Sequence, residues 1–531
     1  MILKKVAVFL VVVGLGIACT STPTFAQKSE KYGGTLIYSN ANEYPLNDPH
    51  KYKGSAAREM LAPVYSTIFR YTPEGTLVND LATSLDVVKP NEFQVKIRND
   101  VKFHNGTPLR ASDVIYSYNR ILDPKTGAMF KAQFETVESM KAEDDYTILF
   151  TLKQPVSPDW FKEILAQVET AILSEQWMKA QNRDWTEHMG SGPFMWDRVV
   201  YGVKSVVKRN PNYYRSDEQG NRFPYLDGIE FVGYTDPALR VTALRSGDAD
   251  CDGFIPWEFL KGFMADQNAN IDLSMEAFME LTYNVAAPPF NNKLVRRALA
   301  YAIDRNKIVQ MAFFGFAEPM YGGVLGYMPW SWAYNSASKN RFSYDPKKAK
   351  QLLSEAGYPN GFSASLLCSQ DDQMHIDTAQ VVVEELKAIG VNVTIRLEEW
   401  GRRVASGNKE DYQLAINGKS PRMLDPDWLA AYYHGKVGGF YHRPAKWNFP
   451  QMDSILDKAR TFVDRKERMN FYAQWEDLYF DESPSLFLVF RQTGGLRSKR
   501  VQGYKFFPGV LRTASTKSLE STWIDKTYKR K

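Results

Sequence analysis

The run IDTAQVVVEELKAIGVNVTIRL, residues 376–397, decides the fold class. Apolar residues recur at helical spacing up to Ile389, and Gly390 breaks the pattern. Val391, Val393, Ile395 and Leu397 then alternate with other residues at the period of a strand. A helix that feeds a strand directly is the building unit of α/β architecture. The surrounding sequence repeats the texture. Leu294, Val295, Ala298, Leu299, Ala302 and Ile303 form one helical stripe, after which Asp304 suits the cap of a second helix from Arg305, itself expected to pair with an acid. Asp345-Pro346 supplies a cap and a first-turn proline. Ala349, Leu352, Leu353 and Ala356 form the buried face of that helix, and Gly357 closes it. A helical stretch over 451–480 should break near Asp464, and 485–490 should return as a strand. Before residue 284 strands and turns dominate. Strands are expected at 35–38, 92–98 and 146–152, with a helix over 111–122 stopped by Asp123-Pro124.

Length and composition set the bounds. The chain has 531 residues, enough for about three domains or lobes. Its 44% apolar and 24% charged content belongs to a globular protein. Sixty-six basic residues against 61 acidic ones leave +5, which gives no reason to propose nucleic acid as a partner. Lys4 and Lys5 precede an apolar run from Val6 to Ala18 and then small residues, the layout of a secretory signal over residues 1–26 with release after Ala26. Gly16-Ile17-Ala18-Cys19 offers a second processing site, at which Cys19 would carry lipid. Either route places the protein outside the cytoplasm, in the periplasm. Only Cys251 and Cys368 remain after a cut at Ala26, so the core holds the fold without a disulfide framework.

Signatures of reaction chemistry are missing from the sequence. The six histidines are scattered, with no His-Glu-x-x-His helix and no Cys-x-x-Cys pair; His434 and His442 are the nearest to a metal pair. Gly418-Lys419-Ser420 resembles the end of a phosphate loop, but Gln413 stands where that loop needs glycine. Gly190-Ser191-Gly192 is followed by Pro193 and reads as a turn, not a nucleophile elbow. No catalytic residue, cofactor or metal is assigned.

A succession of short phrases is more specific. Gly33-Gly34-Thr35-Leu36, Asp48-Pro49-His50, Asn105-Gly106-Thr107-Pro108, Gly192-Pro193-Phe194, Arg209-Asn210-Pro211-Asn212-Tyr213-Tyr214 and Gly247-Asp248-Ala249-Asp250 occur in that order. Pro289-Phe290, Arg297-Ala298-Leu299, Ala302-Ile303-Asp304-Arg305 and Ala356-Gly357-Tyr358 follow. The set resembles the extracellular solute-binding proteins of family 5, the oligopeptide- and dipeptide-binding components of ABC importers. That resemblance implies a two-lobed, hinge-closing, class II-like periplasmic-binding-protein fold with an extra subdomain in the first lobe. On this chain the implied division is lobe I over 27–65, 184–283 and 496–531, the extra subdomain over 66–183, and lobe II over 284–495. It further implies a monomer that encloses a peptide or small molecule and delivers it to an ABC permease in the inner membrane.

Family peptide binders commonly pair the ligand's amino terminus with an Asp three residues before an acidic-Pro step. Here that step resembles Asp425-Pro426, and Arg422 stands three residues earlier. Lys53 follows Asp48-Pro49-His50-Lys51, where a peptide binder can present an acid. Both departures put positive charge in place of negative, which favours a ligand with an anionic group. The opposing reading turns Arg422 to solvent or pairs it with Asp425 or Asp427. Trp257, His375, Trp400 and Trp428 complete the expected ligand wall, since aromatic faces give contact area at little entropy cost. Two other classes stay open at this point: an exported hydrolase on the same frame, and a binder of metal chelate or haem drawing on His375, His434 and His442.

Overall fold

The structure is a computed structural model that describes residues 30–40, 48–52, 54–128, 130–180, 189–421, 423–436, 441 and 443–529. The leader with Cys19, and the side chains of Lys53, Arg422 and His442, lie outside the described residues.

An eleven-stranded mixed sheet organises the molecule. In one half, Thr35–Asn40 runs parallel to both Gly228–Gly233 and Cys251–Ile255, and Lys204–Arg209 and Phe194–Val200 extend the edge antiparallel. In the other half, Phe362–Ser369 is flanked in parallel by Val391–Glu398 and Leu414–Lys419. Two long strands, Ala269–Tyr283 and Ser485–Ser498, pair antiparallel from Ala269↔Ser498 to Thr282↔Ser485 and belong to both halves. One end of this ribbon pairs with Cys251–Ile255, the other with Leu414–Lys419. Register shifts lie at Met275/Ala277 and Met279/Glu280, where the ribbon passes from one lobe to the other. Extra residues in one strand bend it and sharpen its twist, which suits a crossing point. The expected lobe boundaries at 284 and 495 fall just after one long strand and within the other.

A separate four-stranded antiparallel sheet runs in the order Ala82–Lys89, Glu92–Ile97, Thr147–Leu152, Val137–Asp144. Its buried face is the alternating set Phe93, Val95, Ile97, Ile148, Phe150 and Leu152. Helix Ala111–Leu122 packs on it through Val114, Tyr118 and Ile121. Helix Pro158–Ile164 carries Phe161 against Phe93 and Phe150.

The helix signals match the observed ends. Asp304 accepts from Asn306 N, Asp345 from Lys348 N, and Asp464 from Glu467 N, which separates helices Pro450–Thr461 and Arg465–Glu482. Each such cap stabilises its helix by about 1 kcal/mol. Gly357 and Gly390 adopt φ of 90° and 87°, the left-handed region that glycine enters without strain.

Two details differ from the sequence reading. The alternation in Val391–Glu398 does not give an evenly buried face: Val391 is buried but Leu397 is half exposed, because this is the outermost strand of its lobe. Arg305, expected to pair with a carboxylate, is fully buried and donates to the carbonyls of Ala300, Ile303 and Phe487. Cys251 and Cys368 are free, buried thiols. Among the described residues no helix is long and apolar enough to cross a membrane.

Candidate ligand-binding site

Helix Gln373–Lys387 starts where strand Phe362–Ser369 ends, which brings Met374 and His375 to the sheet's rim. Gly418 lies opposite on Leu414–Lys419; a Cβ there would stand 3.3 Å from His375 Nε2, so glycine leaves the imidazole its room. His375 is 3% exposed, and neither ring nitrogen has a hydrogen-bond partner. Burial pulls its pKa down to about 4, so the ring is neutral near pH 7. Its ring lies along Trp400, with centroids 6.5 Å apart and planes at 26°.

Trp400 opens helix Trp400–Asn408, whose first turn is capped by Glu399 accepting from Gly401 N and Arg402 N. Three residues on, at helical spacing, Arg403 shares its face. The Arg403 guanidinium lies 5.8 Å from the Trp400 ring and 5.1 Å from the Tyr441 ring. Nη2 donates to Ile416 O and Asn417 Oδ1, and Asn417 is held by its own bond to Thr282 Oγ1. Arg403 is 1% exposed, yet Nε and Nη1 find no acceptor. Burial lowers its pKa.

The long strand Ser485–Ser498 contributes Arg491, opposite Ala277 beside the bulge. Its guanidinium lies 5.6 Å from the Trp257 ring, and Nη1 donates to Met374 Sδ at 2.9 Å. Thioether sulfur is a weak acceptor. Arg491 Nε is buried without a partner. Trp257 is fixed by Nε1 donating to Gln492 O and by edge contacts with Phe254 and Phe313. A continuous row therefore runs from Trp257 in one lobe, through Arg491 on the crossing ribbon, to Met374, His375, Trp400 and Arg403 in the other.

The remaining expected residues sit elsewhere. Trp428 is buried against Phe278 and Tyr432, with its indole N–H unpartnered. Asp425 receives both terminal nitrogens of Arg468, at 2.6 and 2.7 Å, and both side chains are buried. Asp427 is taken by Arg460 and by Trp160 Nε1. Lobe-internal arginines thus occupy both carboxylates that were weighed as partners for Arg422. His434 uses both ring nitrogens, accepting from Lys436 N and facing Asp457. Among the described residues no group of three or more His, Cys, Asp or Glu stands ready to hold a metal.

Sequence reading missed Arg403 and Arg491. Each had a signal: Arg403 follows Trp400 by three on a helix, and Arg491 is the first charge after the apolar run Leu486 to Phe490. Neither signal says that no acid faces the arginine.

The model of bacterial extracellular solute-binding proteins, family 5 Middle, matches residues 76–440. The chain belongs to that family. Among curated relatives of this family-5 protein, the glutathione-binding protein GsiB of Pectobacterium atrosepticum is 27% identical over 521 residues, covering 95% of this chain and 96% of its own. GsiB of Escherichia coli K12 is 28% identical over 511 residues, covering 94% and 96%. Among solved structures, the PBP AgaA of A. tumefaciens R10, in complex with agropinic acid, superposes with a TM-score of 0.84 at 30% identity, covering 94% of this chain and 100% of AgaA. The oligopeptide-binding protein AppA of Bacillus subtilis, in complex with a nonapeptide, reaches 0.79 at 25% identity, covering 93% and 100%. The two-lobed architecture is that of the periplasmic binding proteins.

Proposed function

We propose that this family-5 chain is the exported receptor of an ABC importer. It captures a peptide or peptide-like solute with an anionic group between its lobes and hands it, chemically unaltered, to a permease in the inner membrane. The observation that carries this reading is the junction at which Arg491 of the crossing ribbon touches Trp257 from one lobe and Met374 from the other, with the His375–Trp400 ring pair continuing from Met374. Such a junction is complete only when the lobes are together. A solute that touches both sides therefore has a higher affinity for the closed form and shifts the population toward it. Micromolar affinity corresponds to about 8 kcal/mol, more than enough to overturn a gap of a few kcal/mol between open and closed forms. The names of the relatives, which bind glutathione, a nonapeptide and agropinic acid, support a peptide-like or acidic solute. Export through a leader over residues 1–26 and action as a monomer in the periplasm complete the reading. A chelate or haem site has less support, because His434 has both nitrogens engaged.

Mass spectrometry of the solute that co-purifies, followed by small-angle scattering with and without it, tests the proposal. The expected result is an intact solute and a smaller radius of gyration when it is bound. A cleaved solute or an unchanged envelope would sink it.

A further inference from the structure

Among the described residues, buried arginines commonly meet a carboxylate. Arg70 meets Glu520, Arg240 meets Asp252, Arg468 meets Asp425 and Arg512 meets Glu276. Arg305 lacks an acid but donates to three carbonyls. Arg403 pairs with no acid and is satisfied at one nitrogen only: Nη2 donates to Ile416 O and Asn417 Oδ1, while Nε and Nη1, buried beside Trp400 and Tyr441 in a side chain 1% exposed, find no acceptor. At the other end of the same row, Arg491 directs its one hydrogen bond to a sulfur. Between them His375 has two buried ring nitrogens without partners. Acids nearby do not fill the gap. Glu276 is occupied by Arg512 and Thr493, and Asp372 reaches only to 4.0 Å from His375 Nδ1. A buried guanidinium with unmet donors is costly, and the cost disappears once a planar anion accepts from it.

We propose that Arg403 and Arg491, with His375 between them, form the subsite that receives the anionic group of the solute, and that this group is an oxyanion of the carboxylate class. The three side chains come from different elements, Trp400–Asn408, Ser485–Ser498 and Gln373–Lys387, and converge only in the folded molecule. The inference rests on the receptor reading above and narrows it to a chemical class and to named contacts. Arg403 is prepositioned by Asn417 and the two rings, so a carboxylate finds its partner already ordered.

Calorimetric titration of N-acetylglutamylglycine and of its diamide, at matched ionic strength, tests the subsite in the wild type, R403M, R491M and R403K. In the wild type the acid should bind roughly ten- to a hundredfold more tightly than the diamide, the range expected for losing a hydrogen bond to a charged group. R403M and R491M should each erase most of that discrimination while keeping the wild-type circular dichroism, and R403K should retain part of it. Absence of acid binding to the wild type, equal binding of acid and diamide, or full discrimination in R403M overturns the subsite. Scattering with the co-purified solute separates the two readings: compaction alongside any of those results leaves the receptor standing without this subsite, and no compaction removes the receptor itself.

Discussion

The Asp425–Arg468 pair shows how a residue that reads as a site from sequence can be committed to the fold. Both side chains are 1% exposed, and the bonds are bidentate. Asp425 N also donates to Glu163, whose carboxyl is held well above the usual range by burial and by the Asp425 charge. Removing the arginine alone would leave Asp425 buried, charged and beside another acid. We therefore expect R468M to lower unfolding stability by about 3–5 kcal/mol, the usual cost of breaking a buried pair from one side. Denaturant titration checks this, and a loss below 1 kcal/mol would show that the pair is dispensable. The Asp425-Pro426 step was legible in the sequence because acid before proline marks a turn. Its partner, 43 positions away, was not, because nothing local couples a loop to a distant helix. Asp304 shows the reverse case: a cap acts on its own next turn, so the sequence sufficed.

At the scale of elements, helix Pro158–Ile164 has the most consequential position. It packs on the four-stranded sheet through Phe161, yet presents Trp160 and Glu163 to the loop before helix Trp428–Tyr433 of the second lobe. Trp160 Nε1 donates to Asp427 Oδ2 at 2.7 Å, and Arg460 lies over the same indole. On the proposed division into lobes these contacts join one lobe to the other, so opening would break them. W160F keeps an aromatic ring and removes the donor together with part of the indole's buried bulk. Solute dissociation should become about tenfold faster with little change in association, since a bond present only in the closed state acts on the rate of leaving. Stopped-flow measurement with the co-purified solute decides; an unchanged dissociation rate would mean that the contact is not part of closure. No expected element covered this helix, and which of its residues face the loop before Trp428 depends on partners 267 and 262 positions away.

Across the whole molecule, four segments far apart in sequence bring charge together near the crossing. Glu59 comes from helix Ser55–Leu61, Asp252 from strand Cys251–Ile255, Glu276 from a long strand, and Arg512 from the 3-10 turns Gly509–Ser521. Arg512 binds Glu276 and the carbonyl of Gly253, and Asn40 donates to Glu59. Burial pushes Glu59 up to about 8, with Asp252 and Glu276 adding to the rise and Arg512 opposing it. The native state therefore holds a proton that the unfolded chain releases near its ordinary value of 4.5. The stability linked to this proton is complete below that value and is lost as pH rises through about 8. E59Q cannot ionise, so its melting temperature relative to the wild type should climb between pH 5 and pH 9. A constant difference across that range would mean that Glu59 titrates normally.

Periodicity, caps and turns determined the α/β class, most helix ends and the change of texture after the first half of the chain, because each depends on residues within a few positions of one another. The order of short phrases carried the family, and the family carried the two lobes. Only the tertiary structure decided which arginines are spent on acids and which are left without one. A guanidinium's partner is chosen by where distant strands and helices converge, and its energy depends on burial, which no single stretch of sequence contains.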